Sequence, residues 1–150
     1  MKICFICHAN ICRSFMAQEF LKKIINDDNR SDIKVISRGT YVLSNFTVPQ
    51  KIKDFLKENN IECSKHIPMQ YGKEDIESSD FIFVMTQEQL RTINDKYAQF
   101  SDKIFLFMDF CLGKEKDMKD PIDKRGSSFY KIANEIKQDV SILYKKITCK

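Results

Sequence analysis

Four short apolar segments constrain the fold more than any other feature of this sequence. They are Ile3–Ile6, Ile33–Ile36, Phe81–Met85 and Ile104–Met108. The last two are apolar throughout, which is typical of strands buried on both faces. Such strands belong to parallel sheets that helices cover on both sides, so the segments predict the central layer of an α/β protein.

Segments with helical periodicity separate these strands. Apolar residues recur at intervals of three and four over residues 15–26, over 52–56, around residues 90–93 and over 129–147. Right-handed crossovers place helices on both faces of a parallel sheet. The pattern therefore predicts a single doubly wound domain over residues 1–150, built on a four-stranded parallel sheet. We expect residues 64–79 to hold at most one short helix, and a long polar loop to follow Met108.

Composition limits the classes of function. A chain of 150 residues can bury an ordinary core without disulfides or metals. A net charge of +4, with 31% charged residues of both signs, argues against nucleic-acid binding. The first apolar run is too short for a signal peptide or a membrane span, so we expect a cytoplasmic protein without membrane association. The six cysteines are scattered along the chain, so we expect them to be thiols and not disulfides. We also expect the protein to be a monomer.

The strongest chemical motif follows the first strand. A loop between a strand and a helix can converge its backbone N–H groups on an anion, and an arginine adds a fork of donors. The same positive environment favours the thiolate of a cysteine at its centre, which is the nucleophilic form. The motif therefore predicts a loop that binds a phosphate and attacks it. Its residues are Cys7, His8, Ala9, Asn10, Ile11, Cys12, Arg13 and Ser14.

This string, directly after an N-terminal strand, resembles the low-molecular-weight protein tyrosine phosphatase family. The resemblance implies hydrolysis of phosphotyrosine-containing proteins through a cysteinyl-phosphate, without cofactor or metal. The match continues in the family's order over most of the chain, at Met16-Ala17, Ser37-Arg38-Gly39-Thr40, His66 and Asp120-Pro121.

The resemblance also implies the catalytic roles. Cys7 is the nucleophile, Arg13 binds the phosphate oxygens, and Asp120 protonates the leaving oxygen. Ser14 hydrogen-bonds the sulfur, and Cys12 forms a reversible disulfide with Cys7. A supporting network is implied for Asn10, Ser14, Ser37 and His66.

From the residues alone, the identity of the acid stays open. Asp-Pro is a common turn dipeptide, so Asp120-Pro121 alone does not identify a catalytic group. Asp109, Asp117 and Asp123 lie near it in sequence. Spacing does not exclude any of them.

The sequence departs from the family at three positions. Ala9 replaces a usual glycine and would strain the loop if that position needed positive φ. Phe15 replaces a usual proline, and we expect it to add apolar surface beside the mouth of the site. Ile122 stands where the family has an aromatic cleft wall, opposite Leu43. The walls are therefore expected to be aliphatic, and the positions of the nearby aromatics Tyr41 and Phe46 stay open.

Three other functions remain open. A thioredoxin-coupled arsenate reductase needs two further neighbouring thiols, whereas Cys63 and Cys111 are far apart. A phosphoarginine phosphatase of the same family typically has threonine after the loop asparagine, so Ile11 favours phosphotyrosine. A non-catalytic phosphopeptide-binding module would have no reason to keep Cys7 together with Asp120.

Overall fold

The computed structural model describes residues 1–63 and 65–149, in which strands and helices alternate. All neighbouring strands are parallel, and their order across the sheet is β2-β1-β3-β4. The elements are β1 Lys2–Cys7, α1 Arg13–Asp27, β2 Lys34–Gly39, α2 Gln50–Glu58, α3 Lys73–Ser78, β3 Phe81–Val84, α4 Gln87–Lys96, β4 Ile104–Leu106, α5 Phe107–Leu112 and α6 Gly126–Thr148.

Helices cover both faces of this sheet. Successive side chains of a strand point to opposite faces. Ile3 and Phe5 of β1 accordingly pack with residues of α1, α2, α5 and α6, whereas Cys4 and Ile6 pack with residues of α3 and α4. The predicted fold class, a four-stranded parallel sheet with helices on both faces, is confirmed.

The order in which strands are added to the sheet reverses at β1. The chain leaves β1 to form β2 on one side and later returns to form β3 on the other. In register, Cys7 lies beside Gly39 of β2, and Ile6 lies beside Val84 of β3. Connections diverge at such a point and leave a crevice in which ligands bind. The loop after Cys7 starts in this crevice.

The prediction of a strand over Ile104–Met108 is wrong in its second half. The strand ends at Leu106, and Phe107–Leu112 forms α5, which buries Phe107, Met108 and Cys111. A short apolar run does not distinguish a buried strand from a buried helix, so the pattern could not locate this boundary. The polar connection accordingly begins later, at Gly113, whose φ of 66° ends α5 in the left-handed conformation.

The other elements follow the predicted order with small shifts at their ends. Helix α1 begins at Arg13 and α2 at Gln50, each slightly before its first periodic apolar residue. The expected short helix within residues 64–79 is α3, and Ser64 lies outside the described residues. A 3-10 turn at Ala98–Lys103 was not predicted. No helix in the described part of the chain has the length and apolarity that crossing a membrane requires.

Candidate active site

Residues 7–13 run from the last residue of β1 to the first residue of α1, and we call them the phosphate loop. Its first carbonyls are bonded to the chain after β2, because the N–H of Thr40 donates to Cys7 O at 2.9 Å and that of Tyr41 to His8 O at 2.8 Å. Within residues 1–63 and 65–149, none of the N–H groups of residues 8–12 donates a hydrogen bond. These N–H groups are therefore available to bind an anion.

Asn10 holds the loop from inside. Its φ is 59°, a left-handed conformation that asparagine tolerates better than most residues, and its side chain is fully buried. The Met69 N–H donates to Oδ1 at 3.1 Å, which fixes the orientation of the amide because a backbone N–H can only donate. The other end, Nδ2, donates to Ser14 Oγ at 2.8 Å and to Ser37 Oγ at 2.9 Å. Every hydrogen-bonding atom of the amide is thus used.

The Cys7 sulfur lies 2.9 Å from Ser14 Oγ, and both residues are buried. Asn10 already donates to Ser14 Oγ, so the single proton of Ser14 is free to go elsewhere. It has two acceptors in reach, the sulfur and Arg38 O at 3.3 Å. When Cys7 is a thiolate, the charged sulfur is the stronger acceptor. The hydroxyl can therefore stabilise the thiolate both as nucleophile and as leaving group.

The network extends one residue further than sequence reasoning reached. The Ser37 hydroxyl donates to Gln18 Oε1 at 2.8 Å, and both side chains are buried. This bond fixes the direction of the Ser37 proton and leaves Ser37 Oγ to accept from Asn10. No feature of the sequence singles out Gln18, because a lone polar residue in α1 matches no motif.

The Arg13 side chain bonds to the segment between α5 and α6. It is 8% exposed, and its Nη1 donates to Met118 O at 3.2 Å. Its Nη2 lies 3.5 Å from Asp120 Oδ2. Asp120 is more accessible than Arg13, with 38% of its side chain exposed. The acid candidate thus sits at the rim of the site, directly beside the arginine.

Of the four carboxylates left open by the sequence, only Asp120 forms an ion pair with Arg13 in the described structure. Asp117 instead accepts a hydrogen bond from the Gln87 N–H at the start of α4, at 2.8 Å. Asp109 is exposed on α5, and Asp123 is exposed in the turn after Pro121. The geometry therefore favours Asp120 as the acid.

The two cysteines of the loop have different surroundings. Burial, with the Asp120 carboxylate nearby, raises the pKa of the Cys12 thiol far above its usual value. Cys12 is therefore a neutral thiol at physiological pH, whereas Cys7 has the Ser14 hydroxyl to bond its sulfur. All six cysteines are free thiols in this structure.

His66 supports the loop from the side. Its Nε2 donates to Asn10 O at 2.7 Å. Burial lowers the pKa of His66, so a neutral ring makes this bond at physiological pH. The ring stacks on Phe15 with centroids 4.1 Å apart. The expectation that Phe15 adds apolar surface beside the mouth is wrong: Phe15 is only 1% exposed, because its ring packs against His66 and the core.

The expected wall residues lie on two separate loops. Leu43 is exposed on the loop after β2, whereas Ile122 is partly buried against the larger core cluster. Of the two unplaced aromatics, Tyr41 stacks on His8 of the phosphate loop with centroids 5.6 Å apart, and Phe46 bonds through its N–H to Leu43 O. Of these two aromatics, Tyr41 is therefore the one that packs against the phosphate loop.

Ala9 does not strain the loop. The described non-glycine residues with positive φ are Asn10, Asn29 and Asn60, so Ala9 has an ordinary conformation. The glycine that the loop does require is Gly39. A Cβ atom there would lie 2.7 Å from His8 O and 2.5 Å from a methyl group of Val42. Gly39 thus lets the chain after β2 approach the phosphate loop closely.

Comparison with known proteins identifies the family. The profile described as "Low molecular weight phosphotyrosine protein phosphatase" matches residues 2–150. The chain therefore belongs to this family of phosphoric monoester hydrolases, and the predicted family and enzyme class are confirmed.

Individual relatives span most of the chain. The low molecular weight phosphotyrosine protein phosphatase of Rattus norvegicus is 30% identical over 85% of this chain and 83% of its own length. The protein-arginine-phosphatase of Bacillus subtilis is 25% identical over 98% and 97%. Among solved structures, a low molecular weight protein tyrosine phosphatase from T. tengcongensis is 27% identical with a TM-score of 0.89, covering 97% of this chain and 99% of that one. The YwlE arginine phosphatase from Geobacillus stearothermophilus is 26% identical with a TM-score of 0.85, covering 97% and 92%.

We predict that Gly39→Ala weakens phosphate binding about tenfold or more, because the new methyl group displaces the His8 carbonyl and with it the loop. The inhibition constant of inorganic phosphate measures this effect. Gly72→Ala is the control, since a Cβ there has no atom within 4 Å and the residue has φ −133°. Unchanged inhibition of Gly39→Ala by phosphate would contradict this account of the loop.

Proposed function

We propose that this protein hydrolyses phosphotyrosine in proteins by way of a phosphate ester of Cys7. The observation that carries the proposal is the convergence of three groups. A sulfur with a hydroxyl at 2.9 Å starts the phosphate loop, a buried arginine ends it, and a carboxylate stands 3.5 Å from that arginine. Together they supply a nucleophile, an anion clamp and a proton donor.

In the first step, the Cys7 thiolate attacks phosphorus while the free N–H groups of the loop and Arg13 bind the non-bridging oxygens. The S–P bond forms as the bond from phosphorus to the phenolic oxygen breaks. Asp120, in its protonated form, gives its proton to that oxygen, so a neutral tyrosine leaves. Arg13 stabilises the charge on the equatorial oxygens as the phosphoryl group flattens.

In the second step, water attacks the phosphocysteine. Asp120, now a carboxylate, takes a proton from the water, and the S–P bond breaks to release inorganic phosphate. The electron pair returns to the Cys7 sulfur, where the Ser14 hydroxyl stabilises it. Asn10, Ser37, Gln18 and His66 act only by holding the loop and the hydroxyls in position.

We propose phosphotyrosine as the substrate because Ile11, Leu43 and Ile122 offer aliphatic surface, which suits a ring better than a guanidinium group. A phosphoarginine side chain is the second candidate, favoured by the similarity to the arginine phosphatase of Bacillus subtilis.

We propose further that the protein acts as a monomer in the cytoplasm, without metal or cofactor.

The structure does not favour an arsenate-reducing relay. Cys111 is buried in α5, and burial raises its pKa to about 12. Cys63 lies after α2, and its pKa is raised as well, mainly by burial. Neither thiol is activated, and the two lie on different elements.

A pure binding module would likewise leave the Ser14 hydroxyl on the Cys7 sulfur without a purpose.

We predict that Cys7→Ser abolishes hydrolysis, because a serine hydroxyl has no comparable anion at neutral pH. Arg13→Lys should lower turnover at least about a hundredfold, since an ammonium cannot reproduce the planar fork. Phosphate release is measured from matched peptides carrying phosphotyrosine, phosphoserine or phosphoarginine, with arsenate reduction assayed beside them. Undiminished turnover by Cys7→Ser would disprove the mechanism, and faster hydrolysis of phosphoarginine would move the substrate to the second candidate.

The acid is tested through the leaving group. General acid catalysis contributes about 10²–10⁴-fold, and a poor leaving group depends on it most. We expect Asp120→Asn to slow the first step strongly with phenyl phosphate and only slightly with p-nitrophenyl phosphate, as measured by the pre-steady-state burst. Asp117→Asn and Asp123→Asn are the matched controls from the same connection. An equal slowing of both substrates by Asp120→Asn, or this selectivity in a control, would remove Asp120 as the acid.

The two loop cysteines define a redox prediction. Peroxide oxidises the Cys7 thiolate to a sulfenic acid, and the Cys12 sulfur then displaces its oxygen as water to form a disulfide. Because the pKa of Cys12 is raised, closure of the disulfide should accelerate as pH rises above neutrality. Mass spectrometry of peroxide-treated protein should find the Cys7–Cys12 bond, with activity restored by thiol. Equally complete recovery by Cys12→Ser after the same treatment would rule out this protective role.

A further inference from the structure

Lys51, in the first turn of α2, is bonded to the segment that follows Asp120. Its ammonium donates to the backbone carbonyls of Pro121 at 3.3 Å, of Ile122, and of Lys124 at 2.8 Å. An ammonium has three N–H donors, so this one stretch of chain uses all of them. The same nitrogen lies 5.3 Å from the centroid of the Phe129 ring, at the start of α6. We call residues 120–124 the acid loop.

The position of Lys51 in its helix is unfavourable by itself. The first turn of a helix is the positive end of its dipole, where acidic residues are preferred, and α2 has none there. The helix dipole does not stabilise a lysine at this end, so any stabilisation by protein groups comes from other segments. The three carbonyl oxygens of the acid loop provide this stabilisation. A residue that breaks a local rule and is compensated by one distant segment is a candidate for function.

The part of the acid loop after Asp120 depends on hydrogen bonds to another element to hold its position. The connection between α5 and α6 contains no helix or strand. Before Asp120 it is tied to the sheet end by the Met118 N–H, which donates to Met85 O at 2.8 Å, and to Arg13 through Met118 O. After Asp120, its own backbone supplies one turn bond, from the Lys124 N–H to Pro121 O at 3.0 Å. Lys51 provides the hydrogen bonds to another element.

One peptide group links Lys51 to the carboxylate. The carbonyl of Pro121 and the N–H of Ile122 belong to the same peptide unit. Lys51 donates to the oxygen of this peptide unit. The N–H of the same unit, which belongs to Ile122, donates to Asp120 Oδ1 at 3.1 Å. A cation at the oxygen polarises the peptide and strengthens the bond that its N–H makes. Holding this unit therefore holds Oδ1, and leaves Oδ2 facing Arg13 at 3.5 Å.

We propose that Lys51 is a positioning residue for the general acid, holding the acid loop so that the Asp120 carboxyl group meets the leaving oxygen. This inference rests on the proposed function, because it takes Asp120 as the acid. Lys51 does not touch the phosphate loop in the described structure, so its loss should leave phosphate binding intact. Its effect should appear only where proton donation limits the rate.

The test compares leaving groups in Lys51→Met, which keeps an unbranched side chain but removes the ammonium. We expect the first step to slow roughly tenfold with phenyl phosphate and less than about twofold with p-nitrophenyl phosphate, because misplacement of a catalytic group is costly only when the group is needed. Lys51→Arg, which keeps a cationic donor, should retain most of the rate with phenyl phosphate. Inhibition by inorganic phosphate should stay unchanged in both variants.

Two further variants separate positioning from general damage. Lys53→Met is the matched control: Lys53 lies on the same helix and is exposed, and its side chain makes no hydrogen bond or ion pair among the described residues. In an Asp120→Asn background, Lys51→Met should cost less than about twofold with either substrate, since the group it positions is gone. Thermal unfolding of each variant reports stability. If Lys51→Met lowers the midpoint markedly, Lys51→Gln replaces it in the same comparison.

The outcomes distinguish the two proposals. If Asp120→Asn shows the leaving-group dependence and Lys51→Met does not, Lys51 has no positioning role and the proposed function stands. Equal losses with both substrates, or an undiminished effect in the Asp120→Asn background, also overturn the role of Lys51. If Asp120→Asn itself lacks the dependence, the acid of the proposed function is wrong, and the inference about Lys51 falls with it.

Discussion

The buried amide of Asn10 is the interaction on which the site depends. A loop that turns its N–H groups towards one point needs a residue with positive φ, and that residue must be fixed from inside because the N–H groups are reserved for the ligand. Asn10 satisfies both needs. Its side chain bonds to Met69, Ser14 and Ser37, and its carbonyl accepts from His66. Three separate parts of the chain, α1, β2 and the segment that holds His66 and Met69, thereby set the shape of one short loop.

The topology explains how these parts meet. The strand order reverses at β1, which has β2 on one side and β3 on the other. β2 contributes Ser37 and Gly39, and Met85, the residue after β3, anchors Met118 beside Arg13. The nucleophile thus lies at the end of β1 beside β2, and the segment before the acid is tied to the end of β3. Arg13 donates to Met118 O and lies 3.5 Å from Asp120, which ties the end of the phosphate loop to the acid.

Much of this arrangement could be predicted from sequence, because it depends on local patterns. The apolar runs predict the four strands, and Cys7 to Ser14 form one continuous motif. What could not be predicted depends on partners far apart in sequence. Gln18 and Lys51 are ordinary polar helix residues until the fold places Ser37 and the acid loop beside them. Phe15 was misplaced for the same reason, since only the fold brings His66 to its ring. Helix α5 was missed because Phe107 and Met108 continue an apolar run without a break.

The central claim is that the phosphoryl group passes through the Cys7 sulfur. It is tested most directly by mixing the protein with a phosphotyrosine peptide whose phosphorus is labelled, quenching within the first turnover, and mapping the label by mass spectrometry. The account predicts one labelled peptide, residues of the N-terminal strand and phosphate loop, with the phosphoryl group on Cys7 and released tyrosine in equal amount. Tyrosine released without any labelled protein, or a label on a residue other than Cys7, would contradict it.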